Sequence, residues 1–206
     1  AEAPVVVVAF VGCECPLARL YAPRLATLAE AYADRGVVFL AINSNQQDSI
    51  TELAAYARRH ALDFPVLKDP GNEVADLFGA LRTPEVFVLD AEREIRYSGR
   101  IDNQYGIGTR RPEPTRRDLV DAIDAVLAGS DVTVARTEPA GCFIGRMRDA
   151  ESASDVTYSR QVSRILQQHC VECHRTGEIA TLPLTTYAEV AGWGETRGAV
   201  VACGAM

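Results

Sequence analysis

The stretch VVVVAFVGCECPLARLYAPRL, residues 5–25, joins a strand pattern to a helix pattern through a short turn. Its first part, Val5 to Phe10, is a continuous apolar run, typical of a strand buried on both faces. A helix pattern follows from Pro16 to Asp34, and proline is favoured in a first turn because its missing N–H costs nothing there. Cys15 falls between the two, where helix N–H groups favour a thiolate. We predict that Cys15 is a nucleophile, the alternative being a small residue buried at a strand end.

Strand and helix patterns alternate through the first part of the chain. A second apolar run, Val37 to Ile42, predicts another buried strand, and Glu85 to Leu89 with Glu94 to Tyr97 predicts a hairpin. The last helix of this part, Thr115 to Leu127, stops before Gly129. This order predicts an α/β fold whose sheet is mainly parallel, with an antiparallel hairpin at one side and helices on its faces.

The pattern divides the chain into three segments. We predict an α/β domain over residues 1–130, a connector over 131–154 that is rich in small and charged residues, and a small, mainly α unit over 155–206. The last segment is too short to hold a large core without a ligand or a covalent staple.

Composition narrows the classes of partner. The chain has 206 residues, 48% of them hydrophobic and 24% charged, which is ordinary for a globular protein. A formal charge of −7 argues against nonspecific binding of nucleic acid, and no segment has the length and apolarity of a membrane span. Since a strand pattern starts almost at the first residue, we expect the sequence to be part of a longer protein, with further domains beyond residue 206.

Three further runs, GVVFLAINSNQQDS, FPVLKDPGNEVADLFGALRTPEVFVLD and GCFIGR, continue the pattern that CPLARLYAPRL begins. Together they resemble bacterial redoxin-domain proteins of the alkyl-hydroperoxide-reductase and thiol-specific-antioxidant type over roughly Val5 to Arg146. The resemblance implies a thioredoxin-like fold and thiol redox chemistry. It also implies that Pro84 is cis and that the Thr83–Pro84 loop lies against the reactive sulfur, where it helps to position a partner's disulfide.

One departure from that family changes the chemistry. Thioredoxin-type turns carry Cys-x-x-Cys, but here the fourth position is Ala18, so no disulfide can close within the turn. Cys13 is a candidate partner, although a Cys-x-Cys disulfide is strained. Cys142, on a segment that could fold back, is the partner we favour over a purely structural role for it. An external thiol is the third route. The Pro-x-x-x-Thr-x-x-Cys segment of peroxidatic relatives is absent upstream of Cys15.

A second cysteine cluster, CVECH, fits the Cys-x-x-Cys-His pattern of covalent haem attachment. Cys170 and Cys173 would add to the porphyrin vinyl groups, and His174 would ligate the iron. The alternatives are a redox Cys-x-x-Cys and a zinc half-site, although zinc usually needs a second Cys/His pair. The surrounding run from Val156 resembles small cytochrome c domains. That resemblance makes Met206 the candidate sixth ligand, with Met147 a poorer one.

The sequence therefore predicts a two-part redox protein, in which a thioredoxin-like domain is joined to a cytochrome c-like unit with one haem c. The expected partner is a redox protein, a small thiol or a peroxide. Haem attachment and stable disulfides both point outside the bacterial cytoplasm, to the periplasm or cell surface. The rival hypothesis is a non-catalytic docking module on a redoxin fold, with only the haem redox-active.

Overall fold

The structure is a computed structural model that describes residues 3–146, 155–180 and 182–202. The chain forms two compact units. The first consists of the chain up to Ser44 together with Asp48–Ile144, and the second of Asn45–Gln47 together with the chain from Gly145 onward. Each unit is described by itself below.

The strands of the first unit are β1 (Val5–Phe10), β2 (Val37–Asn43), β3 (Val66–Lys68), β4 (Arg82–Thr83), β5 (Glu85–Leu89), β6 (Ile95–Gly99), β7 (Tyr105–Gly106), β8 (Thr109–Arg110) and β9 (Cys142–Phe143). Its helices are α1 (Pro16–Ala33), α2 (Ile50–Arg59), α3 (Glu73–Phe78) and α4 (Asp118–Leu127). Strand order in the main sheet is β3-β2-β1-β5-β6. β1 and β2 are parallel, as are β2 and β3, whereas β5 is antiparallel to both β1 and β6. The predicted mixed sheet with its antiparallel hairpin is confirmed.

The two faces of β1 pack against different helices because successive side chains of a strand point to opposite faces. Val5, Val7 and Ala9 join one apolar cluster, which also contains buried residues of α1, α2 and α4. Val8 and Phe10 join a second cluster, which contains Ala75 of α3. The sheet is therefore covered on both sides, which is why β1 and β2 are apolar almost throughout.

Helix α4 begins three residues later than the sequence predicts. The pattern indicated Thr115 as the start, but the helix begins at Asp118. Asn103 Oδ1 accepts hydrogen bonds from the N–H groups of Thr115 and Arg116, at 3.0 and 3.1 Å. Those bonds tie the two residues to the loop that contains Asn103.

Among its described residues, the second unit is helical at 158–169, 187–192 and 194–202, and turns and bends lie between the first two of these segments. A π-helical turn (Tyr158–Val162) leads into α5 (Ser163–His169), and α6 (Tyr187–Gly192) and α7 (Gly194–Ala202) follow. The rings of Tyr158 and Tyr187 meet edge to face at 5.2 Å. Among the described residues of the whole chain, no helix has the length and hydropathy that crossing a bilayer requires.

Candidate redox site

Cys15 lies in the turn that connects β1 to α1. It is the N-cap residue of the helix and is completely buried. As a thiol it donates to the carbonyl oxygen of Thr83, with a sulfur–oxygen distance of 2.8 Å. Burial acts to raise the Cys15 pKa, but hydrogen bonds from the Cys142 side chain and from the N–H groups of Ala18 and Cys142 outweigh it. The net result is a lowered pKa, so the site favours a thiolate at Cys15.

The structure brings Cys142 to this thiol. Strand β9 pairs antiparallel with β4, and the register sets Cys142 opposite Thr83. Its side chain is buried and hydrogen-bonds Cys15. That hydrogen bond, burial and the charge of Cys15 raise the Cys142 pKa. The pKa of Cys15 is therefore lowered and that of Cys142 raised. Of the two neighbouring thiols, Cys15 is the one that ionises and Cys142 the one that keeps its proton.

Thr83 and Pro84, the other two site residues that the sequence indicated, also lie at this point. The peptide bond between them is cis, as the resemblance implied. The buried Thr83 hydroxyl has no hydrogen-bond partner among the described residues, and it acts to lower the Cys15 pKa. It is therefore available to donate to a thiolate, while the Thr83 carbonyl accepts from the thiol.

Arg82 holds β9 on both sides of Cys142. Its guanidinium donates to the carbonyl oxygen of Gly141 at 2.8 Å and lies 3.9 Å from the ring centre of Phe143. Its charge also acts to lower the Cys142 pKa. Sequence reasoning missed Arg82. The only signal was a cation directly before the Thr-Pro pair, and nothing in that position predicts a partner 59 residues away.

Gly141 makes the close approach of β9 possible. It has φ of 154°, and a Cβ atom there would lie 2.0 Å from the Thr83 carbonyl oxygen and 2.7 Å from its carbon. Both are backbone atoms that cannot rotate away. Any side chain at position 141 must therefore push β9 away from β4 and carry Cys142 with it.

We expect Gly141→Ala to slow closure of a Cys15–Cys142 disulfide by about 100-fold, since a displacement of about 1 Å costs that much in a positioned reaction. The measurement is the rate of internal disulfide formation in the reduced protein, read by peptide mapping. Gly129→Ala is the matched control, because Gly129 also has positive φ, 67°, but its Cβ would meet nothing within 4 Å. Equal closure rates in the two variants would contradict this account of Gly141.

Cys13 faces a different environment. Its N–H donates to Asp48 Oδ2 at 2.9 Å, and its carbonyl oxygen accepts from Arg19 Nε at 2.7 Å. Burial first, and then the Asp48 carboxylate, raise the Cys13 pKa. Asp48 is itself buried, and Asn43 Nδ2 donates to the same oxygen at 2.6 Å. Asp48 lies between β2 and α2, and no sequence pattern there indicates that it reaches the cysteine turn.

The CVECH motif forms a single turn directly after α5. The N–H of His174 donates to the carbonyl oxygen of Cys170 at 2.9 Å, which places both cysteines and the histidine within one helical turn. Cys173 is exposed and Cys170 half-buried, and both are free thiols. His174 Nδ1 lies 2.8 Å from the carbonyl oxygen of Leu182. A carbonyl only accepts, so Nδ1 carries the proton and Nε2 keeps its lone pair for a metal.

The structure gives less information about the other predicted metal ligands. Met147 and Met206 lie outside the described residues. Within the described ranges, no group of three or more His, Cys, Asp or Glu side chains is arranged to hold a metal ion. A structural zinc site needs about four such ligands.

Comparison with known proteins supports the thioredoxin-like fold of the first unit. A sequence model of the AhpC/TSA family matches residues 1–98. The Thiol-disulfide oxidoreductase ResA of Halalkalibacterium halodurans is 28% identical over 86 residues, which are 42% of this chain and 48% of that protein. The match thus spans about half the length of this curated relative.

Two solved structures extend the comparison. A hypothetical protein from Sinorhizobium meliloti 1021 is 34% identical, with a TM-score of 0.65 over 72% of this chain and 82% of that chain. An uncharacterized conserved protein from Geobacillus kaustophilus is 29% identical, with a TM-score of 0.62 over 72% of this chain and 79% of that chain.

Fold and comparisons together define a thioredoxin-like domain of the kind found in thiol-disulfide oxidoreductases. More narrowly, residues 1–98 match the model of the AhpC/TSA family, and the chain belongs to one family with the Sinorhizobium meliloti protein. The family match ends at residue 98 and so does not reach the CVECH turn.

Proposed function

We propose that the first unit is a thiol-disulfide oxidoreductase domain whose redox pair is Cys15 and Cys142. The observation that carries this proposal is the β4–β9 register, which sets the buried Cys142 opposite Thr83, whose carbonyl oxygen lies 2.8 Å from the Cys15 sulfur. The lowered Cys15 pKa and the raised Cys142 pKa agree with this pairing. A buried cysteine with a purely structural role needs neither a thiol partner nor a stabilised thiolate. That difference disfavours the docking-module hypothesis for this unit.

The exchange proceeds in two steps. The Cys15 thiolate attacks one sulfur of a partner's disulfide, that S–S bond breaks, and the departing partner thiolate takes a proton. Cys142 then loses its proton and attacks Cys15, which releases the second partner thiolate and leaves a Cys15–Cys142 disulfide. The partner gains two electrons and the domain loses two. Run backwards, the same steps oxidise a partner's dithiol.

The coupled pKa values suit this order of events. In the resting site, the Cys15 hydrogen bond and charge are among the causes that hold Cys142 protonated. Once Cys15 has formed a mixed disulfide its negative charge is gone, so Cys142 is easier to deprotonate. Arg82 then favours the Cys142 thiolate through its positive charge. The resolving thiol is therefore activated by the first step.

Access to Cys15 requires β9 to move. Cys15 is completely buried, and β9 is a short strand that pairs with β4 over two residues. We infer that a partner's disulfide reaches Cys15 when this short strand separates, and that Cys142 resolves the intermediate when the strand returns.

The pH dependence of Cys15 tests the thiolate assignment. We expect Cys15 to ionise well below the value of about 8.5 of a free thiol. Because a lowered pKa means that the thiolate persists to lower pH, reaction with a small alkylating reagent should already approach its plateau at neutral pH. The measurement is the alkylation rate of Cys15 against pH by peptide mapping, with Cys13, whose pKa is raised, as the internal reference. A Cys15 profile centred at or above 8.5 contradicts the assignment.

For the second unit we propose one haem c, which Cys170 and Cys173 would hold covalently and which His174 and Met206 would ligate. The His174 ring supports the proposal, because its Nδ1 is bound and its Nε2 is left for iron. Large apolar side chains are also exposed in this unit: Ile165 is 58%, Ile179 88% and Tyr187 64% accessible. A porphyrin would cover the apolar surface that these side chains expose. When bound, it would supply one-electron transfer at iron.

Such a pairing would join a two-electron thiol couple to a one-electron carrier in one chain. We propose an extracytoplasmic, bacterial location, since stable disulfides and covalent haem both belong there. The proposed partner is a redox protein or a small thiol or peroxide.

A further inference from the structure

Two thiols compete for Cys15 in this chain. Cys142 is opposite Thr83 across the β4–β9 pair, whereas Cys13 is only two residues away along the backbone. A thiol so close in sequence meets the sulfur of Cys15 at a high effective concentration, even though the Cys-x-Cys disulfide that it would form is strained. Something in the structure must therefore decide which of the two resolves a Cys15 intermediate.

Cys13 is held by its backbone on both sides and by its thiol. Asp48 accepts from the Cys13 N–H at 2.9 Å, and Arg19 donates to the Cys13 carbonyl at 2.7 Å. The Cys13 thiol also hydrogen-bonds the Asp48 side chain. These contacts fix the turn and direct the Cys13 side chain towards a carboxylate.

Asp48 is itself held in place for this contact. Its Oδ2 accepts from Asn43 Nδ2 at 2.6 Å, and Asn43 Oδ1 in turn accepts from Lys68 Nζ at 2.8 Å. Other charged side chains act on Cys13 as well. Glu14 and Glu52 disfavour its thiolate, as Asp48 does. The cation Arg19 is engaged with the Cys13 carbonyl and with Glu14.

We propose that Asp48 is a specificity-determining residue, which binds Cys13 as a thiol and thereby commits Cys15 to resolution by Cys142. This inference rests on the proposed function of the Cys15–Cys142 pair. Asp48 acts through Cys13, so it is a positioning residue and not a catalytic one.

The reaction that Asp48 prevents is well defined. In a Cys15–glutathione mixed disulfide, a Cys13 thiolate would attack the Cys15 sulfur, break its bond to glutathione and release glutathione thiolate. The product would be a Cys13–Cys15 disulfide. The reaction needs deprotonation of Cys13 and release of its thiol from Asp48, and the carboxylate opposes both.

The test uses the full chain and oxidised glutathione as the probe. Cys13 and Cys15 share one tryptic peptide, which ends at Arg19, so a glutathione adduct raises its mass and an internal disulfide lowers it. In Cys142→Ser we expect the adduct on Cys15 to persist. In Cys142→Ser with Asp48→Asn we expect conversion to the internal disulfide at least about tenfold faster, because asparagine keeps an acceptor for the Cys13 N–H but carries no charge.

Asp69→Asn in the Cys142→Ser background is the matched control. Asp69 is also buried and accepts from the Ser44 hydroxyl and the Ala75 N–H, away from the cysteine turn. It should leave the adduct as stable as in Cys142→Ser alone. Rapid conversion in Cys142→Ser with Asp48 intact would overturn the proposal, and so would equal conversion with and without Asp48→Asn.

A second measurement separates this proposal from the function on which it rests. In Cys15→Ser, the Cys13 alkylation rate at neutral pH should rise at least about tenfold when Asp48 becomes Asn, independently of any chemistry at Cys15. If Cys15 forms no glutathione adduct but Cys13 responds in this way, the proposed function fails and the role of Asp48 stands. If Cys13 does not respond, the role of Asp48 is wrong. Asp69→Asn in the Cys15→Ser background is the control for loss of folding, because it also removes a buried carboxylate and should leave the Cys13 alkylation rate unchanged.

Discussion

Cys15→Ser should abolish thiol–disulfide exchange by the first unit, with a loss on the order of 10³-fold or more. A serine hydroxyl stays protonated at neutral pH. The surroundings that lower the pKa of the Cys15 thiol therefore cannot make a serine in its place a comparable nucleophile. The measurement is the rate at which the reduced protein reduces a small disulfide, followed together with the disulfides formed.

Cys142→Ser should fail differently. Cys15 keeps its attack on the partner, so the first step survives and the mixed disulfide accumulates. Cys13→Ser is the matched control, since it removes the third buried cysteine of this unit and should leave both steps within about twofold. Turnover that survives in Cys15→Ser, or a mixed disulfide that still resolves internally in Cys142→Ser, would contradict the proposed pair.

The contrast between those variants separates the two hypotheses that the sequence left open. A docking module with a structural Cys15 predicts no exchange in the wild type and no difference between the serine variants. An exchange domain predicts a stop at two different points. The experiment therefore distinguishes loss of folding from loss of chemistry, because a trapped mixed disulfide at Cys15 requires an intact site.

Much of the fold could be predicted because its signals are local. The apolar runs of β1 and β2, the proline at the start of α1 and the Thr83–Pro84 pair each constrain a few neighbouring residues. The start of α4 could not be predicted, because the side chain of Asn103 accepts a hydrogen bond from the N–H of Thr115, 12 residues further along the chain. The small pair β7–β8 was also missed, since strands of two residues have no period to read.

Only part of the candidate site could be predicted from the sequence, for the same reason. Cys15 carries a local signal, a cysteine before a helix-starting proline. Its partner Cys142 could be favoured only by elimination. The register that sets it opposite Thr83 depends on Gly141, because a Cβ atom at that position would clash with Thr83, far away in sequence. Asp48 and Arg82 act through contacts across 35 and 59 residues, to Cys13 and Gly141. Polar residues in loops give no pattern that reveals such pairs.

Haem attachment is the second large effect that we predict. Cys170→Ser with Cys173→Ser should abolish covalent haem in protein produced by a host that matures c-type cytochromes, since both thioether bonds then have no sulfur. The measurement is haem that stays with the polypeptide after denaturation. Cys13→Ser with Cys142→Ser is the matched control, because it also removes two cysteines but leaves the CVECH turn intact. Its haem content should equal that of the wild type.

The histidines provide a sharper test, because two of the three in the chain lie five residues apart. His174 Nδ1 lies 2.8 Å from the Leu182 carbonyl oxygen, which leaves Nε2 as the proposed iron ligand, whereas His169 is the exposed last residue of α5. We expect His174→Ala to change the absorption spectrum of the bound haem, because His174 would be an iron ligand, and His169→Ala to leave that spectrum unchanged. Equal spectra in both variants would assign the ligand elsewhere. A wild-type protein without covalent haem in such a host would refute the haem proposal, while leaving the Cys15–Cys142 chemistry, which lies in the other unit, to its own test.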